Sequence, residues 1–197
     1  MCGMDLRDDI RACRICADRF AATKTQHRPR PVVWFQPSAR LLIASQAPGA
    51  RAHAGGRPFI DPSGVRLRDW MGVDEETFYD RTAVAIVPMA FCFPGYDRNG
   101  SDIPPPKICG ETWHDAVMKT LPNVRLRLIV GAASMRYHLG TRASVTEVVR
   151  NWRDHAPDTF VLPHPSWRNT AWLKKNPWFE VEVLPALRAR VKEVLDV

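Results

Sequence analysis

Four short stretches of the chain are apolar at successive positions rather than alternate ones: LLIAS (41–45), AVAIVP (83–88), RLIVG (127–131) and FVLP (160–163). A strand covered on both faces reads this way, because neither set of alternating side chains meets water. Between the runs the apolar spacing changes to that of one helical face. Helices are expected within GVRLRDWMG (64–72) and EETFYDR (75–81), PPKICGETWHDAVMKTL (105–121) and AASMRYHLG (132–140). The closing stretch, 176–197, has amphipathic spacing, with Pro185 starting the helix or kinking it. Strands that alternate with helices predict an α/β domain around a mainly parallel sheet of four strands. The length suits one domain, 1–197, with no repeat or linker to divide it.

Sheets of this kind gather ligands at the carboxyl ends of their strands. Three loops leave those ends: SQAPGARAHAGGRPFIDPSG (45–64), MAFCFPGYDRNGSDIPPP (89–106) and HPSWRN (164–169). The fold predicts that they lie side by side. The third holds His164 between two prolines, a stiff setting for a polar ring at the end of a buried strand.

Composition adds a partner and a second chemistry. Hydrophobic residues make up 45% and charged residues 25% of the chain, which excludes wholesale disorder. A net charge of +7 attracts polyanions, nucleic acid first among them, although such a charge also serves solubility alone. No run approaches the roughly 18 apolar residues of a membrane span, and the N-terminal stretch lacks a signal-peptide core. A cytoplasmic monomer, away from membranes, is the expectation. In that compartment the five cysteines are not expected to form disulfides. Cys13 and Cys16 form a C-x-x-C, and Cys92 and Cys109 are separated by sixteen intervening residues; four soft thiolates suit either zinc or an iron-sulfur cluster. Cys2 has no evident partner and reads as a bystander.

The C-x-x-C, the APG loop with its following RPF, a third cysteine with Pro-Gly two residues on, a fourth cysteine and a late HPS occur here in one order. Together they resemble the iron-sulfur uracil-DNA glycosylases, over nearly the whole chain and with an atypical first motif. The resemblance implies a three-layer α/β/α fold and a [4Fe-4S] cluster on Cys13, Cys16, Cys92 and Cys109, with zinc the alternative metal. It implies a water-positioning and sugar-facing loop of Gln46, Ala47, Pro48 and Gly49, and an aromatic ring, Phe59, stacked on an extruded base. His164 corresponds to the histidine that stabilises the departing base, and Ser166 to a residue on DNA phosphate. Trp167, Arg168 and Asn169 occupy the segment that enters the minor groove, with Asn169 also placed at the substrate. HPSWRN is similar to the HPSPRN of single-strand-selective glycosylases, in which Arg168 is the wedge. The chain departs from the pattern twice: Gln46 replaces a glutamate, and Pro88 replaces an asparagine that reads the uracil edge.

Glycosidic cleavage develops positive charge on the sugar and negative charge on the base, so it calls for a donor at the base and a group that handles water. His164 is the expected donor. Asp61 is the candidate base, and the same residue before Pro-Ser-Gly also suits a helix cap. Base flipping costs a few kcal/mol, of which stacking on Phe59 returns about 1 to 3. For Trp167, packing on the domain is the competing assignment. Loss of the asparagine predicts a broader pocket, taking hypoxanthine or xanthine as well as uracil. Asp97, Arg98 and Asn99 offer replacement contacts or form a solvated turn. The expected function is therefore DNA base excision on uracil-containing or otherwise deaminated DNA. The competing functions are an inactive iron-sulfur nucleic-acid-binding protein of the same fold and an iron-sulfur electron carrier.

Overall fold

The computed structural model describes residues 5–197, and in it the four apolar runs form one all-parallel sheet. Strands β1 (Leu41–Ser45), β2 (Val84–Pro88), β3 (Leu126–Val130) and β4 (Thr159–Leu162) lie in the order β2-β1-β3-β4. Register pairs Leu41 with both Val84 and Leu126, and Leu128 with Phe160. The limits fall within a residue of those the apolar runs predict. All but one of the strand residues are buried, the exception being Arg127.

Successive strand residues face different layers. Leu41, Ile43, Val84, Ile86, Leu128 and Phe160 enter one core with side chains of α4 (Pro62–Met71), α5 (Glu75–Tyr79) and α10 (Leu184–Leu195). Leu42, Ala85 and Val87 enter a second with Ile10 of α1 (Leu6–Ala12) and Val117 of α6 (Lys107–Lys119). Helices on both faces of a parallel sheet make the expected three-layer α/β/α arrangement.

The closing helix is reached through a wider π-type turn, Phe179–Val183, and Pro185 stands in the first turn of α10, where its missing N–H costs no hydrogen bond. Five short helices had no clear apolar period: α1, α2 (Ala17–Ala21), α3 (Ala50–Gly55), α8 (Val145–Arg150) and α9 (Thr170–Lys175). The first loop is thus not loop throughout, since α3 lies inside it. Helix α7 (Ala132–Leu139) follows β3 directly and is tied to the sheet by the buried Ser134, whose hydroxyl donates to the Ala44 carbonyl at 2.8 Å. Among the described residues no helix is long and apolar enough to cross a membrane. Cys2 lies outside the described residues.

Candidate active site

The order in which strands are added reverses at β1, with β2 on one side and β3 on the other, and parallel sheets open a crevice at such a switch point. Gln46 leaves β1 at this point. Its carbonyl accepts from the Ala90 N–H at 3.1 Å, and Ser45 accepts from Met89 at 2.8 Å, which joins the first loop to the second. Across the crevice Gly131 has a φ of 83°, and a Cβ there would stand 3.2 Å from the Gln46 side chain. Only glycine meets both conditions without strain. Pro88 ends β2, an edge strand, and its carbonyl takes a hydrogen bond from the buried His114 at 2.9 Å. Pro88 itself thus presents no donor to a base.

Phe59 is held from three directions. Its φ of 54° is a left-handed conformation uncommon outside glycine. The Tyr79 hydroxyl is 2.9 Å from the carbonyls of both Pro58 and Phe59. Burial pushes that phenol up, so it remains a donor at neutral pH. The Phe59 ring meets the buried Phe78 edge to face at 6.1 Å. Behind the loop, a Cβ on Gly64 would lie 1.8 Å from the Phe59 carbonyl oxygen, so the turn closes only over glycine.

Asp61 divides its carboxylate between two tasks. Oδ1 caps α4, accepting from the backbone N–H groups of Ser63 at 3.1 Å and Gly64 at 3.3 Å. Oδ2 is turned toward Gly49, 3.9 Å from where a Cβ would stand. The cap therefore does not consume the residue: one oxygen fixes the helix and the other faces the first loop at Gly49.

His164 sits on the turn after β4. The Ser166 N–H donates to Nδ1 at 3.3 Å, which makes Nδ1 the acceptor and leaves the proton of the neutral ring on Nε2. Desolvation holds the pKa below the usual histidine value; Asp61 and Asp102 draw it back up, and Arg168 lowers it. The ring is a neutral donor in the field of two carboxylates. The Asn169 side-chain amide donates to the His164 carbonyl at 2.7 Å, bracing the turn. The Ser166 hydroxyl caps the next turn by accepting from the Arg168 N–H at 3.2 Å.

Side-chain bridges tie the three loops together. Arg66 of α4 donates to the Ser166 carbonyl at 3.0 Å and to the Thr170 hydroxyl at 3.3 Å, drawing the histidine turn against the helix that Asp61 caps. Arg168 pairs with Asp102 of the second loop at 3.1 Å. Trp167 is 73% exposed and does not pack into the domain. Beside Asp61 lies an open groove lined by Arg51, Ile60, Val65 and Arg66. Sequence reasoning missed Arg66, Asp102, Tyr79 and Gly131. Only the last carried a signal, a glycine between a strand and a helix.

On the opposite face of the second loop, Cys13, Cys16, Cys92 and Cys109 line one small apolar cavity with Phe20, Pro29, Pro31, Phe91, Ile108 and Trp113. Cys13 ends α1 and Cys16 begins α2, while Cys109 lies in the first turn of α6. Desolvation pushes the Cys92 thiol up to about 12 and the Cys109 thiol up to about 11. The Phe91 N–H donates to the Cys109 sulfur at 3.5 Å. Among the described residues no three His, Cys, Asp or Glu side chains gather closely enough for a single metal ion. The four thiols line one cavity.

Compared with known families, residues 32–188 match the model of the uracil DNA glycosylase superfamily. The matched span takes in all four strands, the three strand-end loops, Cys92 and Cys109; Cys13 and Cys16 precede it.

Proposed function

Because the chain belongs to the uracil DNA glycosylase superfamily, we propose that it is a base-excision glycosylase, acting as a monomer on uracil and on other deaminated bases in DNA. The observation that carries this reading is the neutral His164 ring, with its proton on Nε2, held next to the loop of Phe59 and Asp61. An extruded base stacks on Phe59, and Nε2–H donates to the base oxygen that gains charge as the C1′–N bond breaks. The electron pair leaves with the base. A neutral donor serves here because it is already aimed and needs no reorganisation as charge develops. Water then adds to C1′, with Gln46 and the free oxygen of Asp61 orienting it and Asp61 taking its proton.

The basic surface draws in DNA, with Ser166 and Arg168 on its backbone and Trp167 filling the vacated stack. Pro88 leaves the base edge without an amide reader at that position, which supports a substrate range extending to hypoxanthine and xanthine. Incubation with duplexes that each carry one lesion, followed by alkaline cleavage, tests this range. Cleavage at uracil and at least one deaminated purine is expected. Confinement to uracil removes the broader range, and no cleavage at any lesion removes the activity.

The dual role of Asp61 gives a separable prediction. Asp61→Asn keeps an oxygen for the cap and loses the charge, so single-turnover excision should fall about a hundredfold with little change in melting temperature. Asp61→Ala should lose the same rate and also about 1 kcal/mol of stability with the cap. An unchanged rate in Asp61→Asn would leave the residue a cap only.

Four thiols around one apolar cavity suit a [4Fe-4S] cluster, with zinc the alternative metal. Cys13, Cys16, Cys92 and Cys109 would hold it, the Phe91 N–H would hydrogen-bond one thiolate, and the apolar wall would exclude water. Its role is structural: it would pin α1 and α2 to the second loop.

A further inference from the structure

The second loop carries an acidic side chain that no motif singles out. A tight turn holds it: Asp97 Oδ1 accepts from the N–H groups of Asn99 at 2.9 Å and Ser101 at 2.8 Å, Ile103 N–H donates to the Gly95 carbonyl at 3.0 Å, and Tyr96 bridges Asp102. From that turn the Asp102 carboxylate reaches the guanidinium of Arg168 at 3.1 Å. The contact joins the second loop to the histidine turn, on either side of His164.

We propose that Asp102 is a phosphate mimic that latches Arg168 to the second loop in the DNA-free protein and must be displaced for Arg168 to engage DNA. The inference rests on the glycosylase reading for the ligand, and on the geometry for the latch. A carboxylate and a phosphodiester offer guanidinium the same paired oxygens, so they compete for one partner. Both side chains of the pair are 56% exposed, and exposed pairs are weak enough to exchange. While closed, the pair neutralises Arg168, so intact DNA gains little from it. Once Arg168 moves to DNA, Asp102 is left facing phosphates without a partner, a further bias toward closure. Asp102 thus acts through Arg168, as a positioning residue that sets how readily the guanidinium is released to DNA phosphate.

Equilibrium binding of the full-length protein to a duplex containing a tetrahydrofuran abasic analogue tests the latch without any base to excise. Asp102→Asn should tighten binding about two- to fivefold, the range of an exposed ion pair. Arg168→Gln should weaken it. In the Arg168→Gln background, Asp102→Asn should then tighten binding clearly less, because only the repulsion between Asp102 and phosphate is left to relieve. Equal tightening in both backgrounds would make Asp102 a repulsive surface charge and overturn the proposal, as would no tightening in either. The coupled result from a protein that binds this duplex yet excises nothing supports the latch while ending the glycosylase reading. A protein that binds no DNA ends both.

Discussion

Replacing His164 with alanine is expected to slow single-turnover base excision about a hundred- to a thousandfold, the usual cost of removing one preorganised donor from a developing anion. The size of the effect follows from how completely the ring is fixed. Pro163 and Pro165 limit the backbone on either side, the Ser166 N–H occupies Nδ1, Asn169 braces the carbonyl and Arg66 draws the turn against α4. Each contact leaves Nε2–H free and aimed, so its loss cannot be recovered by a neighbour. The same geometry fixes the pH dependence. Because burial lowers the His164 pKa, the ring stays neutral as pH falls to the ordinary histidine value of about 6.5. Protonation at lower pH puts a proton on Nδ1 and breaks the Ser166 contact. Excision by the wild-type protein should therefore hold level through neutrality and lose any His164-dependent rate only below that value. A profile that breaks above pH 7 would contradict a buried neutral donor.

The second large effect concerns the cysteines. Cys92→Ala should abolish the brown colour and visible absorption expected of an iron-sulfur protein, with iron and sulfide falling together. It should cost about 4 kcal/mol or more, the scale at which loss of a metal stands apart from ordinary substitutions. The apolar setting explains why so much is at stake. A thiol pushed up to about 12 is protonated at neutral pH when free and becomes a thiolate only beside strong positive charge. Without that charge the hold on α1 and α2, short helices of seven and five residues, rests on the burial of Ile10 and Phe20 alone. A colourless wild-type protein that carries zinc and melts like Cys92→Ala would refute the cluster and its structural role together.

The sheet was legible because burial on both faces leaves an unmistakable trace: LLIA or FVLP has no polar position to shift, so its limits follow from where the apolar run ends. The short helices left no such trace. In α3 only Ala52 is buried, so ARAHAG shows no apolar face, and the segment reads as the loop that surrounds it. Site residues divided along the same line. His164, Phe59 and the four cysteines stood in motifs whose chemistry or spacing is visible locally, and Asp61 was readable as a cap from the Pro-Ser-Gly that follows it. Arg66 and Asp102 were invisible because each acts on a partner far along the chain: Ser166 is 100 positions from Arg66, and Arg168 is 66 from Asp102. No periodicity records such pairs; tertiary packing creates them. The neutral tautomer of His164 likewise exists only once the Ser166 N–H has been folded back onto Nδ1.

Release of free base is the most direct measure of the account. Purified protein should be incubated with a uracil-containing duplex, and the supernatant and the strand analysed by mass. The wild-type protein is expected to yield free uracil and an intact strand bearing one abasic sugar, and His164→Ala almost none of either in the same time. A wild-type protein that binds the duplex yet releases no base, or a His164→Ala protein that releases it at the wild-type rate, would contradict the assignment of His164 as the donor that drives excision.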